Sequence, residues 1–178
     1  MAQEKLILFI IDDDPLQTEM MQDKLKSLKF LTLHTFGTGE LALAEINKGN
    51  HKPHIIILDY FLNSVDAKAS NGLSILKKLK EINPEFQVIM VSGQDKIEVA
   101  VNCIKYGAFD YVIKNESVFV RLEQVVLKAV RERNLLKENK LYKRLFVAVC
   151  FAFISIIAFM GILWGMGFDL FGSKSFKE

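Results

Sequence analysis

The first 120 residues alternate short apolar runs with segments of helical periodicity. Five runs are rich in Ile, Val, Leu or Phe, and between them apolar residues recur every three or four positions. This alternation is typical of a parallel β-sheet with helices packed on both faces. The predicted strands are Leu6–Ile11, Leu31–Thr35, His54–Leu58, Gln87–Val91 and Asp110–Ile113, and the predicted helices are Pro15–Ser27, Gly39–Asn47, Gly72–Ile82 and Ile97–Tyr106.

Local signals mark where two of the helices begin. Asp14 followed by Pro15 predicts the start of the first helix, because the Asp oxygen accepts hydrogen bonds from unpaired N–H groups and Pro favours the first turn. A fifth helix is predicted from about Ser117, and its sequence contains neither Gly nor Pro as far as Leu145. Its pattern can continue into the apolar segment that follows.

The segment from Leu145 to Phe168 carries no charged residue. As a helix it would be roughly 36 Å long, which exceeds the roughly 30 Å hydrocarbon core of a bilayer. The alternative is a buried core helix, but such a helix keeps a polar face, and Ser155 is the only polar side chain here. We therefore predict a single-pass transmembrane helix over 145–168, followed by a short tail over 169–178.

Charge is distributed unevenly along the chain. Residues 1–120 hold 13 basic and 16 acidic side chains, whereas residues 121–144 hold 8 basic and 3 acidic ones. A uniformly basic nucleic-acid-binding protein is therefore disfavoured. More basic residues precede the apolar segment than follow it, so the positive-inside rule places the N-terminal domain in the cytoplasm and the anchor in the inner membrane. The basic residues are expected to attract anionic lipid headgroups rather than nucleic acid.

Polar side chains cluster at the carboxyl ends of the predicted strands. Asp12 and Asp13 follow the first strand, Asp59 the third, Ser92 the fourth and Lys114 the fifth. In an open doubly wound sheet these ends form one rim, where crowded carboxylates repel unless a cation lies between them. Oxygen ligands suit a hard ion such as Mg²⁺. Caps and turns alone would explain Asp14, and also Asp13 to a lesser degree, but not Asp59 together with Lys114.

Four fragments at these strand ends occur in order, namely IIDDDP, IIILDYFL, VIMVSGQ and GAFDYVIK. In this order and spacing they resemble the receiver domain of bacterial two-component response regulators, over about residues 4–125. The resemblance implies an α/β fold, a flavodoxin-like doubly wound parallel sheet with strand order 2-1-3-4-5. We therefore predict a receiver domain over 1–125, a basic helical neck over 126–144, and the transmembrane helix and tail beyond it.

The resemblance also implies a role for each site residue. Asp59 would accept a phosphoryl group, and Asp12 and Asp13 would hold Mg²⁺ together with Asp59 and the backbone carbonyl of Phe61. Lys114 would neutralise charge on the transferred group. The expected switch residues are Ser92 and Tyr111, with ordinary strand packing as the less favoured alternative for Tyr111. Self-phosphorylation and autodephosphorylation are the only reactions implied.

The sequence departs from the family pattern in two loops. Asn115 follows Lys114 where the family usually has Pro, which favours a trans peptide bond there. The loop after Asp59 has Asn63 in place of a usual Pro and is longer than typical, either as a surface insertion or as a partner contact. Phe61 and Gln94 occupy positions that the family associates with the lifetime of the phosphoryl group.

Two functions remain open on the sequence alone. The first is a membrane-anchored response regulator that a sensor histidine kinase or phosphotransfer protein phosphorylates and that then contacts a membrane protein partner. The second is a receiver-fold docking subunit of a membrane complex in which phosphorylation is vestigial. The presence of Asp12, Asp13, Asp59, Ser92 and Lys114 together favours the first. Gly161 and Gly165 have the spacing of a helix-packing motif and suggest a dimer.

Overall fold

Five parallel strands form one sheet in the computed structural model, which describes residues 5–62 and 70–165. The strand order is β2-β1-β3-β4-β5, so the predicted doubly wound receiver-type fold is confirmed. The strands are β1 (Leu6–Ile11), β2 (Leu31–Phe36), β3 (Ile55–Asp59), β4 (Gln87–Ser92) and β5 (Asp110–Ile113). The helices are α1 (Pro15–Leu25), α2 (Gly39–Lys48), α3 (Gly72–Ile82), α4 (Ile97–Lys105) and α5 (Val118–Gly165).

The sheet is covered on both faces, which explains the near-continuous apolar sequence of its central strands. Every residue of β3 and of β4 is buried. Because successive side chains point to opposite faces, Phe9 and Ile56 lie in one core with residues of α2 and α3, whereas Leu8 and Ile57 lie in the other with residues of α1 and α5. These two cores fix which strand ends meet.

Three strands differ from the predicted ones by one residue at one or both ends. β2 extends to Phe36, β3 runs from Ile55 to Asp59, and β4 extends to Ser92. Asp59 and Ser92 are thus the last residues of their strands rather than the first residues of loops. Because each still belongs to a parallel ladder, its backbone position is held by hydrogen bonds to the neighbouring strand.

Asp14 is the N-cap of α1, as predicted from the Asp14–Pro15 pair. Its Oδ1 accepts hydrogen bonds from the backbone N–H groups of Leu16 at 2.9 Å and Gln17 at 3.3 Å. The backbone hydrogen bond from Gln17 contributes most to lowering the pKa of Asp14 below its ordinary value. Capping therefore accounts for the third aspartate of the IIDDDP fragment.

The chain divides into two compact units, one up to Arg131 and one from Glu132 onward. In the second unit the described residues belong to α5. Among the residues that the structure describes, α5 is the one helix long and apolar enough to cross a membrane by length and composition. Residues 166–168 of the predicted span, the tail over 169–178 and Asn63 lie outside the described residues.

Candidate functional site

Three carboxylates meet at the carboxyl ends of β1 and β3. These strands are neighbours, and their register aligns Ile11 with Leu58, which brings the residues that follow them side by side. Asp12 is 3% exposed and Asp59 is 4% exposed, while Asp13 is half-buried. One side-chain oxygen from each of Asp12, Asp13 and Asp59 lies within 4.8 Å of the others. The fold thus assembles the predicted carboxylate cluster.

Lys114 brings a positive charge to this cluster from the end of β5. Its Nζ donates a hydrogen bond to Asp12 Oδ2 at 2.9 Å and forms an ion pair with Asp59 Oδ1, also at 2.9 Å but without hydrogen-bond alignment. Its backbone N–H donates to the Ser92 carbonyl at 2.7 Å, which fixes the start of the loop. The Lys114–Asn115 peptide bond is trans.

The ionisation of the site follows from this geometry. Burial lowers the pKa of Lys114, but the charges of Asp59 and Asp12 and the hydrogen bonds to them raise it by more, so its net pKa is above the ordinary value. Burial raises the pKa of Asp59 to about 6; the Lys114 charge opposes this shift, and the like charge of Asp12 adds to it. Carboxylates this close are therefore costly to ionise without additional positive charge.

We expect Asp59→Asn to stabilise the metal-free protein at neutral pH. The folded-state pKa of Asp59 lies above that of an exposed carboxyl, so deprotonation opposes folding, and the free energy of unfolding falls as pH rises from about 4 to about 6. Removing this charge should raise the free energy of unfolding at pH 7.5 by about 1–3 kcal/mol and flatten that pH dependence.

Urea unfolding in EDTA, on a fragment ending at Arg144, measures this effect. Asp23→Asn is the matched control, because Asp23 pairs with Lys26 at an exposed site on the first helix. The control should change the free energy of unfolding by less than about 0.5 kcal/mol. A lower stability of Asp59→Asn than of wild type at pH 7.5 would contradict the expectation.

The donor set fits Mg²⁺. All three clustered side chains offer hard oxygen atoms, which this ion prefers. The backbone N–H of Asp14 donates to Asp12 Oδ1 at 2.9 Å and so orients that carboxylate. Phe61, predicted to add its backbone carbonyl, lies two positions beyond Asp59, with its ring edge-on to Tyr60 at 5.0 Å. Its role as a ligand remains a prediction.

The backbone behind Asp59 is held by a glycine that the sequence marked only as a helix start. A Cβ atom at Gly72 would collide with the Asp59 carbonyl oxygen and with Cα of Tyr60. The Gly72 N–H also donates to the Tyr60 carbonyl at 2.9 Å, and the Tyr60 N–H donates to the Val91 carbonyl at 2.9 Å. The first residue of α3 therefore packs directly against the chain that carries Asp59.

Ser92 and Tyr111 are linked through Gln94. The Ser92 hydroxyl accepts a hydrogen bond from the Gln94 N–H at 3.1 Å, and the Tyr111 hydroxyl donates to the Gln94 carbonyl at 2.8 Å. Ser92 is fully buried and Tyr111 is half-buried against the core. Burial raises the pKa of Tyr111, with the Ser92 hydroxyl acting in the opposite direction. Both predicted switch residues are thus hydrogen-bonded to the backbone of the same residue, Gln94.

Two histidines that are distant in the sequence also lie together. The rings of His34 and His51 are 4.3 Å apart, and His51 Nδ1 lies 2.8 Å from Glu45 Oε1. Burial, aided by the charge of His51, lowers the pKa of His34. Nothing in the spacing of these residues along the sequence indicates that the loop after α2 returns to the edge strand β2.

Similarity to known proteins agrees with this geometry. Residues 8–137 match the family described as response regulator receiver domain. The chain is 32% identical over 135 residues to the nitrogen assimilation regulatory protein NtrX of Azorhizobium caulinodans, covering 75% of this chain and 28% of that protein. It is 31% identical over 137 residues to the C4-dicarboxylate transport transcriptional regulatory protein DctD of Rhizobium meliloti, covering 77% and 28%. The chain therefore spans less than a third of the length of these relatives.

A solved structure shows the same relationship. The receiver domain of NtrX from Brucella abortus superimposes with a TM-score of 0.61 at 30% identity, covering 70% of this chain and 98% of that one. In this chain the five-stranded sheet brings Asp12, Asp59 and Lys114 together. This chain belongs to the response regulator receiver domain family.

Proposed function

We propose that this chain is a membrane-anchored response regulator that is phosphorylated on Asp59 and signals by phosphorylation-dependent contact with another protein. The observation that carries the proposal is the contact of one ammonium group, Lys114 Nζ, with two buried carboxylates at 2.9 Å each. Two buried carboxylates side by side are costly in a scaffold. They are useful where a charged group must be bound and transferred.

The proposed reaction is phosphoryl transfer from a histidine of a sensor kinase or phosphotransfer protein. An oxygen of Asp59 forms a bond to phosphorus as the phosphorus–nitrogen bond of the donor breaks, and the imidazole nitrogen keeps the electron pair and takes up a proton. Bound Mg²⁺, held by Asp12, Asp13 and Asp59, would supply positive charge to the phosphoryl oxygens. Lys114 lies where its ammonium can neutralise further charge on the same group.

The proposed switch uses Ser92 and Tyr111. A phosphoryl group on Asp59 would offer acceptor oxygens to the Ser92 hydroxyl, which now accepts a hydrogen bond from the Gln94 N–H. Moving Ser92 would displace Gln94, whose carbonyl also accepts the Tyr111 hydroxyl. Tyr111 belongs to β5, so the change would reach the surface next to that strand.

The proposed location is the inner membrane, with the receiver domain in the cytoplasm. The apolar part of α5 supports a membrane helix, because its side chains in the second unit are exposed rather than packed in a core. Basic residues at 137, 140, 143 and 144 support the orientation. The relatives NtrX and DctD are named as regulatory proteins of nitrogen assimilation and of C4-dicarboxylate transport.

Mg²⁺-dependent phosphorylation tests the proposed function. A fragment ending at Arg144 is incubated with acetyl phosphate and resolved by intact mass. We expect the mass of one phosphoryl group to be added with Mg²⁺ and almost none with EDTA, because Asp12, Asp13 and Asp59 repel an anionic donor. An equal phosphorylated fraction with and without EDTA would contradict the metal site, and no phosphorylated species even with Mg²⁺ would favour the alternative, a constitutive docking subunit.

A further inference from the structure

The two edges of the parallel sheet carry opposite charge. We call the edge where the strands begin the start edge, and the edge with the carboxylate cluster the end edge. The terminal strand residues, loops and adjoining helical turns of the end edge hold eight described acidic residues, Asp12, Asp13, Asp14, Glu40, Asp59, Asp95, Glu98 and Glu116, against Lys96, Lys114 and Arg121. Those of the start edge hold ten described basic residues, Lys5, Lys24, Lys26, Lys29, Lys48, Lys52, Lys80, Lys105, Lys128 and Arg131, against Asp23, Glu45, Glu81, Glu85 and Asp110.

Several cations of the start edge have a local explanation, but three do not. Lys48 lies in the last turn of α2, where a positive charge offsets the negative end of the helix dipole. Lys26 pairs with an aspartate three residues before it. Lys5, Lys29 and Lys52 lie in loops and are exposed, and none forms an ion pair with a residue that the structure describes.

These three lysines begin three neighbouring strands. Lys29 precedes β2 by two residues, Lys5 precedes β1 by one, and Lys52 precedes β3 by three. The register places the start of β3 two residues further along than the start of β1, which brings Lys52 level with Lys5. Neighbouring strands lie about 4.8 Å apart, and like charges at that spacing repel each other. We call these three residues the lysine patch.

The chain leaves the first unit at this same edge. Helix α5 begins after β5 at the end edge and packs along the second core as far as Ala129. Lys128 Nζ then lies 3.3 Å from Oδ2 of Asp110, which is the first residue of β5. The helix has therefore returned to the start edge where the first unit ends at Arg131. The proposed span is attached to the basic edge of the sheet.

The neck keeps the start edge close to the membrane. As a helix, the chain from Arg131 to Leu145 is about 21 Å long, and the headgroup layer covers about 6 Å of it. Whatever the angle between the two units, α5 leaves the first unit within about 15 Å of the headgroups. A tilt of about 20°, which spans commonly adopt, brings one side of the edge closer still. Contact is intramolecular, so a weak attraction suffices.

We propose that the lysine patch docks on the anionic lipid headgroups of the membrane that holds the span. The inference rests on the proposed membrane anchor. The basic residues of the neck attract lipid whichever way the first unit turns, whereas the lysine patch selects the face that meets the lipid. A lysine near an anionic surface contributes roughly 5-fold, so three contribute roughly 100-fold to the ratio of docked to undocked chains. The acidic end edge would face away from the lipid, open to a phosphodonor.

Short-range fluorescence quenching of the full chain in vesicles tests the patch. In a Cys150→Ser background, a fluorophore is attached at Ser27→Cys on the start edge or at Gly37→Cys on the end edge, where a Cβ meets nothing within 4 Å. Cys103 is buried and remains. The vesicles contain nitroxide-labelled headgroups in phosphatidylcholine, alone or with phosphatidylglycerol at about 7:3. Phosphatidylglycerol should increase quenching at Ser27→Cys only, and about 0.5 M salt should reverse the increase.

Two triple variants of equal charge separate the patch from net charge. Replacing all three lysines of the patch by Gln should lower the docked-to-undocked ratio in phosphatidylglycerol vesicles by roughly 100-fold, to the value in phosphatidylcholine alone. The matched control replaces three exposed lysines outside the start edge by Gln, namely Lys77, Lys78 and Lys96. Its quenching should stay within about two-fold of that of the wild type.

The outcomes separate the patch from the anchor. Equal quenching in the two lipid compositions, equal quenching at Ser27→Cys and Gly37→Cys, or an equal loss in both triple variants would overturn the patch. Flotation of the same vesicles tests the anchor independently. A chain that floats with phosphatidylcholine vesicles but shows no increase with phosphatidylglycerol keeps the anchor and contradicts the patch alone. A chain that floats with neither composition contradicts the anchor and the patch together.

Discussion

Lys114→Ala is expected to slow phosphorylation of Asp59 by about 100-fold or more, the cost of removing one preorganised charge from a phosphoryl-transfer site. Lys114 Nζ lies 2.9 Å from carboxyl oxygens of both Asp12 and Asp59 and is mostly buried, so water cannot replace its charge at the same distance. Its loss leaves two buried carboxylates facing an anionic donor. Asp59→Asn, which removes the attacking oxygen, should abolish the product.

The measurement is the rate at which intact mass increases with acetyl phosphate in saturating Mg²⁺. Lys128→Ala is the matched control, since Lys128 also pairs with an aspartate, Asp110, at 3.3 Å but lies on the exposed surface of α5. Its rate should stay within about two-fold of wild type. If both lysine variants were equally slow, the effect would be a general loss of charge. If neither were slow, Lys114 would have no part in transfer.

The Lys114→Ala substitution should also change the ionisation of Asp59, and this effect must be separated from the loss of charge stabilisation. Alanine at position 114 removes the charge that opposes the upward pKa shift of Asp59, so Asp59 should hold its proton to higher pH in the variant. Part of the slower transfer would then come from a smaller fraction of ionised nucleophile. Rates at pH 7 and pH 9 separate the two contributions, because only the ionisation contribution disappears at high pH.

The fold was predictable because burial on both faces forces a simple sequence pattern. Ile55–Leu58 and Val88–Val91 are apolar without interruption, which marks them as central parallel strands. Parallel strands end at one edge, so Asp12, Asp59 and Lys114 could be expected together before any distance was known. The one-residue differences at Asp59 and Ser92 arise because ladder hydrogen bonds continue past the last apolar residue.

Other contacts could not be predicted because they depend on backbone atoms or on loops. The Tyr111 hydroxyl donates to the Gln94 carbonyl, and a carbonyl has no signature in a sequence. The collision that only glycine avoids at position 72 requires the path of the chain after Asp59. His34 and His51 meet because the loop after α2 folds back to the edge strand. The residue types of a sequence limit the chemistry that a site can perform, but close contacts of this kind become visible only in the three-dimensional structure.

Deletion of 145–168 is expected to move the protein from the membrane pellet to the soluble fraction almost completely. An uncharged helix of roughly 36 Å inserts in a way that is effectively irreversible, whereas basic residues near a membrane surface contribute only about 1 kcal/mol each. Carbonate washing removes proteins held by charge alone. The intact chain should therefore remain in the pellet after such a wash.

A charge-reversed neck distinguishes insertion from electrostatic attraction. Replacing Lys137, Lys143 and Arg144 by Glu leaves the apolar segment unchanged, so this variant should still resist carbonate. Its orientation should become less uniform, because fewer basic residues then precede the span. Protease added to sealed inner-membrane vesicles of known sidedness reports that orientation through cleavage of the receiver domain. If the intact chain appeared in the carbonate supernatant, the apolar side chains of α5 would have to be covered by protein rather than lipid, and the proposed membrane anchor would be wrong.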